Sequence, residues 1–198
     1  MKLNIFAIVL FIFFNTEVTA QDFEKGLKAA QAGDFITALK EWKPLAVQGH
    51  VKAQGNIGIM YQNGDGVIKD AVKAVKWFRL AAEQGDANAQ YNLGTKYDQG
   101  DGVPQDYTKA VKWWLLSAKQ GKSIAQYNLG VMYSNGFGVR KNNLKSYMWY
   151  HLALVNGDYD AKDWTDTLEA QMTFEDISKA KNMARECMKS DYYNCSFW

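Results

Sequence analysis

The chain has 198 residues, a formal net charge of +2, 47% hydrophobic and 22% charged residues, a composition that argues against a disordered segment or a disulfide-dense mini-protein and leaves one compact domain or one short array. So neutral a balance argues against nucleic-acid binding, which takes a clustered excess of Lys and Arg to neutralise several phosphates. The 16 glycines stand against only 2 prolines in a chain that is 14% aromatic; a loop-rich fold raises both, so the glycines are expected at a few specialised backbone positions.

Met1 and Lys2 open the chain with positive charge, Leu3 to Phe14 form an almost unbroken apolar run, and Val18-Thr19-Ala20 offer the small residues of a cleavage site. Residues 1–20 therefore read as a cleaved signal peptide, with the mature chain starting at Gln21. The run falls short of the roughly 20 apolar residues that a membrane span needs, so no stable membrane insertion is expected and the product is periplasmic or secreted. Export also decides how Cys187 and Cys195 are read: an oxidising compartment allows a disulfide, whereas the cytosol would suggest a redox or metal role.

Residues 21–52 read as a helix hairpin, in which Phe23, Gly26 and Ala29 lead through Gly33-Asp34 to Ala38, Trp42 and Ala46. Residues 53–160 then match themselves at an offset of 36, giving three units. Ala53-Gln54, Ala89-Gln90 and Ala125-Gln126 align, and Gly58, Gly94 and Gly130 follow them. The Gly-x-Gly-Val loops beginning at Gly64, Gly100 and Gly136 come next, and then Trp77, Trp113 and Trp149, each succeeded by a second aromatic.

Each unit predicts two helices. Ala125, Leu129 and Tyr133 share one face of the first, which stops at Gly136; Ala110, Trp114 and Ala118 share one face of the second, which Asp106 caps. Asp34, Asp70 and Asn142 hold the equivalent cap in the other units. Gly58, Gly94 and Gly130 fall inside the first helix, where glycine costs about 1 kcal/mol relative to alanine. A cost repeated in every unit implies a steric need, and the aromatic expected over each glycine comes from Trp77, Trp113 or Trp149. Residues 161–198 depart from the pattern: Asp166 replaces the helix glycine, and Thr173 caps a final helix from Phe174 to Lys189. Atypical ends are what a stacked array uses to cover its last hydrophobic face.

The A-Q-Y-N-L-G-x-x-Y-x-x-G-x-G-V pattern with the following A-V-K-W-W resembles the Sel-one-like repeat (SLR) family, a relative of the tetratricopeptide repeats, over Phe23 to Ala161. The resemblance implies an all-α solenoid, with antiparallel helix pairs stacked into a right-handed superhelix around a concave groove. It also implies a binding or scaffolding role in envelope assembly, signalling or host contact. Exported relatives tie helices together through C-x7-C disulfides, and Cys187 and Cys195 have that spacing once, at the terminal helix. The bridge is thus expected to staple the C-terminal cap.

Signals for catalysis are sparse. His50 and His151 stand apart, so no metal site is expected, and the Gly-x-Gly loops lack the third glycine and the Lys-Ser/Thr of a phosphate cradle, so no cofactor is expected. Ser178 and Lys181 form an isolated S-x-x-K without its S-D-N or K-T-G partners. Because some cysteine-rich relatives are linked to penicillin binding, this leaves a β-lactam-binding or β-lactamase-like hydrolase as the alternative function.

The repeat also produces amide ladders. Gln54, Gln90 and Gln126, like Asn56, Asn92 and Asn128, either bond the backbone of an adjoining helix or grip an extended peptide. Lys73, Lys109 and Lys145 form a solvated face or meet an acidic partner. Positions that differ between units, Lys96 among them, are the further binding candidates. The expected function is an exported, non-catalytic, monomeric scaffold that binds a protein or peptide partner, but not nucleic acid, through its groove.

Overall fold

A computed structural model describes residues 15–190 together with Tyr192 and Cys195, with side chains from Phe23 onward. Residues 1–14, and with them the apolar part of the expected signal peptide, lie outside the described residues. The described residues form ten α-helices: α1 (Asn15–Gln31), α2 (Phe35–Val47), α3 (Val51–Asn63), α4 (Ala71–Glu83), α5 (Ala87–Gln99), α6 (Tyr107–Ala118), α7 (Ser123–Asn135), α8 (Asn143–Val155), α9 (Ala161–Glu169) and α10 (Phe174–Lys189). The helices pack as consecutive pairs of a repeat array, and the chain divides into two compact units, Met1–Trp77 and Phe78–Trp198.

In the first unit α1 packs on α2 and α2 on α3. The core gathers Ala38, Trp42, Leu45 and Ala46 of α2 with Ala53, Ile57 and Met60 of α3. Gly26 lies beneath Trp42: a Cβ added there would stand 2.5 Å from the indole nitrogen. The same nitrogen donates to the Phe23 carbonyl at 3.1 Å, and the Phe23 ring stacks on both Trp42 and His50. His50 in turn accepts from the Ala53 N–H at 3.2 Å and caps α3. The N-terminal hairpin therefore contains the glycine-under-aromatic contact expected only of the later units.

In the second unit the glycines are covered as expected in kind, but by different residues. A Cβ on Gly94 would lie 2.6 Å from Trp114, and one on Gly130 would lie 2.7 Å from Tyr150; Trp113 and Trp149 are not the covering residues. The reason is helical phase. Trp114 shares its face with Ala110 and Ala118, both fully buried, and the neighbouring Trp113 is rotated by about 100° from that face and is half-buried. The Trp114 indole donates to the Tyr91 carbonyl at 3.2 Å, as Trp42 does to Phe23.

The caps stand where the sequence places them. Asp34, Asp106 and Asn142 each accept from the N–H three residues on, and Asp70 accepts from Lys73 N at 2.9 Å. The lysine ladder grows out of these caps. Lys73 and Lys109 pair with Asp70 and Asp106 at 2.9 and 2.8 Å and lie over the rings of Tyr61 and Tyr97 at 5.4 Å. Lys145 lies over Tyr133 at 5.5 Å. These lysines thus join the cap of the second helix to the tyrosine of the first.

The glutamine ladder is internal. Gln54, Gln90 and Gln126, all buried, donate to the carbonyls of Ala46, Ala82 and Ala118 at 2.9, 3.2 and 3.1 Å. In the second unit each amide also accepts from the end of the second helix of its own pair: Gln120 donates to Gln90 and Asn156 to Gln126, both at 2.8 Å. The chain of bonds ends at the terminal cap, where Tyr192 donates to Asn156 at 2.9 Å. The Cys187–Cys195 disulfide closes the segment that carries Tyr192, the pairing that the C-x7-C resemblance implies.

A second polar cluster seats α9 and α10 on α8. Glu169 accepts from the Tyr147 hydroxyl and pairs with Lys181 at 2.9 Å, while Lys181 lies 5.7 Å over the Tyr147 ring. Burial, reinforced by the bond to Glu169, pushes the Tyr147 phenol up to about 12, so it remains a donor at neutral pH. The bonds from Tyr147 and Lys181 hold the Glu169 carboxyl below its ordinary 4.5.

Two outcomes test these contacts. Gly94→Ala is expected to destabilise the protein by about 1–3 kcal/mol through overpacking, and by clearly less in a Trp114→Leu background, as read by chemical denaturation. Equal losses in both backgrounds would remove the close-packing account. Because Glu169 binds its proton less readily folded than unfolded, its contribution is complete above pH 4.5 and fades as pH falls through the lowered folded value. The melting-temperature advantage of wild type over Glu169→Gln should therefore shrink on acidification; an advantage that stays constant with pH counts against the cluster.

Candidate functional site

Tyr91, Thr95 and Asp98 follow one another on a single face of α5, at the spacing that stacks side chains along a helix. With Tyr107 and Trp114 of α6, Asn128 of α7 and Phe137 of the following loop, they line a cleft of about 490 Å³, a size typical of small-ligand sites. Its walls are fixed from within. Tyr107 stacks on Phe137 with ring centres 5.2 Å apart, and Gln105 donates both to the Asp98 carbonyl at 2.7 Å and to the Tyr107 hydroxyl at 3.1 Å. Thr95 and Trp114 both donate to the Tyr91 carbonyl.

Four polar side chains of the cleft are not engaged in this way: Tyr91 through its hydroxyl, the exposed Gln99, and the half-buried Asp98 and Asn128. The Asp98 carboxylate and the Asn128 carboxamide have no hydrogen-bond partner among the described residues. Asp98 is the one charged side chain lining the cleft, and half-burial pushes its carboxyl up from the ordinary value. The cleft therefore offers a lone carboxylate and unengaged amides between aromatic walls.

The homologous place one repeat later is filled. Tyr127, Tyr150 and Trp164 stand 36 residues after Tyr91, Trp114 and Asn128. The Trp164 ring stacks on Tyr150 at 5.9 Å, nearly parallel, and its N–H donates to the Tyr127 hydroxyl at 2.8 Å. The cleft stays open at α7 because an asparagine stands where α9 carries an indole.

Among the candidates from the sequence, Asn128 lines the cleft, while Asn56 and Asn92 are half-buried at the equivalent positions of α3 and α5 and do not line it. Lys96 is only 4% exposed and pairs with Asp101 at 2.6 Å, so it braces the repeat loop. Asp98, Tyr107 and Phe137 were not singled out. Their signal is difference between units: Gln62 and Ser134 occupy the positions equivalent to Asp98, and Phe137 stands where Asp65 and Asp101 do.

Larger depressions follow the outer faces of single helices, one on α2 around Ile36 and Val47 and one on α10 around Phe174 and Ser178. Neither brings groups from different helices together. Ser178 is exposed there, one turn before Lys181, whose ammonium is held by Glu169 and kept protonated well into the alkaline range. Among the described residues there is no group of three or more His, Cys, Asp or Glu placed to hold a metal ion, and no helix is long and apolar enough to cross a membrane.

The Sel1 repeat matches residues 51–86, 87–122 and 123–158, each match running from the first helix of a pair through the second. Among solved structures, the chain is similar to a protective antigen present in uropathogenic Escherichia coli strains that displays an SLR fold. That likeness has a TM-score of 0.76 and 32% identity over 85% of this chain and 38% of the antigen. It is also similar to a Sel1 repeat protein from Oxalobacter formigenes, with a TM-score of 0.69 and 34% identity over 72% of this chain and 59% of that one. The chain thus spans less than two thirds of the length of either relative. None of the curated proteins matches it. Three contiguous matched units, coinciding with the helix pairs α3–α4, α5–α6 and α7–α8, show that the chain belongs to the Sel1 repeat family.

Proposed function

We propose that this protein is an exported, non-catalytic scaffold that binds an extended segment of a protein partner in the cleft between α5, α6 and α7. The observation that carries the reading is the pair of half-buried, unengaged groups, Asp98 and Asn128, on a frame braced by the bonds of Thr95, Gln105 and Trp114. A surface already held in shape by Gln105 and Trp114 loses little freedom on binding, which favours affinity from a small contact area.

The Cys187–Cys195 disulfide and the N-terminal signal pattern support an oxidising destination, in the periplasm or outside the cell. Engagement of Lys181 by Glu169 supports a scaffold over the hydrolase alternative, since a lysine kept protonated is the wrong form to activate Ser178 as a nucleophile.

Peptides selected from a displayed random library on the purified protein are expected to bind wild type and to lose binding to Asn128→Trp, the variant that copies the filled site around Trp164. Thermal unfolding of Asn128→Trp should match wild type. Selected peptides that bind both proteins equally would overturn the cleft as the binding surface.

A further inference from the structure

We infer that the segment bound in this cleft presents an arginine, whose guanidinium pairs with Asp98, stacks within the aromatic walls and donates to Asn128. The inference rests on the cleft being a peptide site and names the side chain it reads.

Three observations converge on a planar, cationic, N–H-donating group. The first is charge. Asp98 is the single charged lining residue, half-buried and without a partner, so a cation gains an ion pair there while an acidic ligand meets repulsion and a neutral one leaves the carboxylate uncompensated. The second is shape. In the homologous place the protein itself supplies the occupant, the flat ring of Trp164 stacked on Tyr150 with its N–H directed to Tyr127. That contact shows that the frame made by these positions accepts a planar donor.

The third is where the charge was added. Asp98 is peculiar to the unit whose site is open; the equivalent residues are Gln62 and Ser134, and Ser134 belongs to the unit where Trp164 closes the site. Of these two places, the open one carries the negative charge and the filled one does not. Among cationic side chains, arginine combines a planar face that stacks on aromatic rings with a fork of donors that fits a carboxylate, whereas lysine offers a strongly hydrated point charge. The Asn128 carboxamide oxygen is free to accept one further guanidinium N–H.

The test uses fluorescently labelled Gly/Ser peptides that carry one central arginine, with citrulline, lysine and glutamate counterparts, titrated by anisotropy. Citrulline keeps the shape of arginine and removes its charge. The arginine peptide should bind wild type at least about tenfold more tightly than the citrulline peptide, with lysine between them and glutamate weakest. Asp98→Asn should erase the preference for arginine over citrulline while leaving the melting temperature unchanged. Asp98→Ser, the residue of the following unit, gives a second readout if the first variant is unstable.

Citrulline binding as tightly as arginine, an arginine preference that survives both Asp98 variants, or no measurable arginine binding would each overturn the inference. The selected library peptides separate its failure from that of the underlying reading. Peptides that lose binding to Asn128→Trp but carry no arginine sink this inference alone, and peptides indifferent to Asn128→Trp sink both.

Discussion

Close approach of a bare helix backbone to an aromatic face sets the spacing inside the helix pairs. Gly26 under Trp42, Gly94 under Trp114 and Gly130 under Tyr150 each leave less room than a methyl group needs. At this distance the ring covers backbone as well as side chains, and in two of the three pairs the indole N–H also reaches a carbonyl of the facing helix. The weak helix propensity of glycine is offset by dispersion contacts that no other residue at that position allows. Everything that joins one pair to the next is built on helices held at this separation.

Two kinds of connection use that separation. Buried glutamines bond the preceding second helix, and in the second unit each accepts an amide from the following one, so neighbouring pairs share hydrogen bonds in a dry interior where a missing partner would be costly. Loop glycines do the same work sterically: a Cβ on Gly138 would run into the backbone at Tyr107, where the second helix of the preceding pair begins. This contact is also why the loop can place Phe137 against Tyr107 and so build one wall of the cleft. The terminal segment takes part in the same system, since the Tyr192 hydroxyl donates to Asn156, which itself donates to Gln126.

Most of the architecture was legible in the sequence because repetition marks what every unit needs. Caps at Asp34, Asp70, Asp106 and Asn142, the final helix after Thr173 and the helix-interior glycines all stand where the offset places them. Identity of the covering ring was misjudged at Gly94 and Gly130, because Trp113 and Trp149 are conspicuous as letters, whereas helical phase gives the contact to Trp114 and Tyr150 after them. The ladders were legible as ladders but not in role. Glutamine and asparagine stand two residues apart on the same helix and point differently, so one row is consumed in bonds between helices while Asn128 faces the cleft. Lys96, expected among the binding candidates, is buried against Asp101, a pairing that depends on how the loop folds back.

The cleft itself arises from departures from the repeat, and its position follows from where the array ends. In a uniform array every unit would present the same surface, so selective recognition needs positions that break the pattern. Here the terminal helix α9 breaks it by filling one site with Trp164, which covers the Tyr150 ring and bonds Tyr127. One unit earlier the repeat's own asparagine, Asn128, leaves the equivalent space open, and Asp98, where the other units carry Gln62 and Ser134, breaks the pattern by giving that space charge. The same frame of tyrosine and ring is thus sealed where an indole replaces the repeat's asparagine and open where the asparagine remains. At these two places a single side chain, rather than a change of fold, separates the sealed from the open.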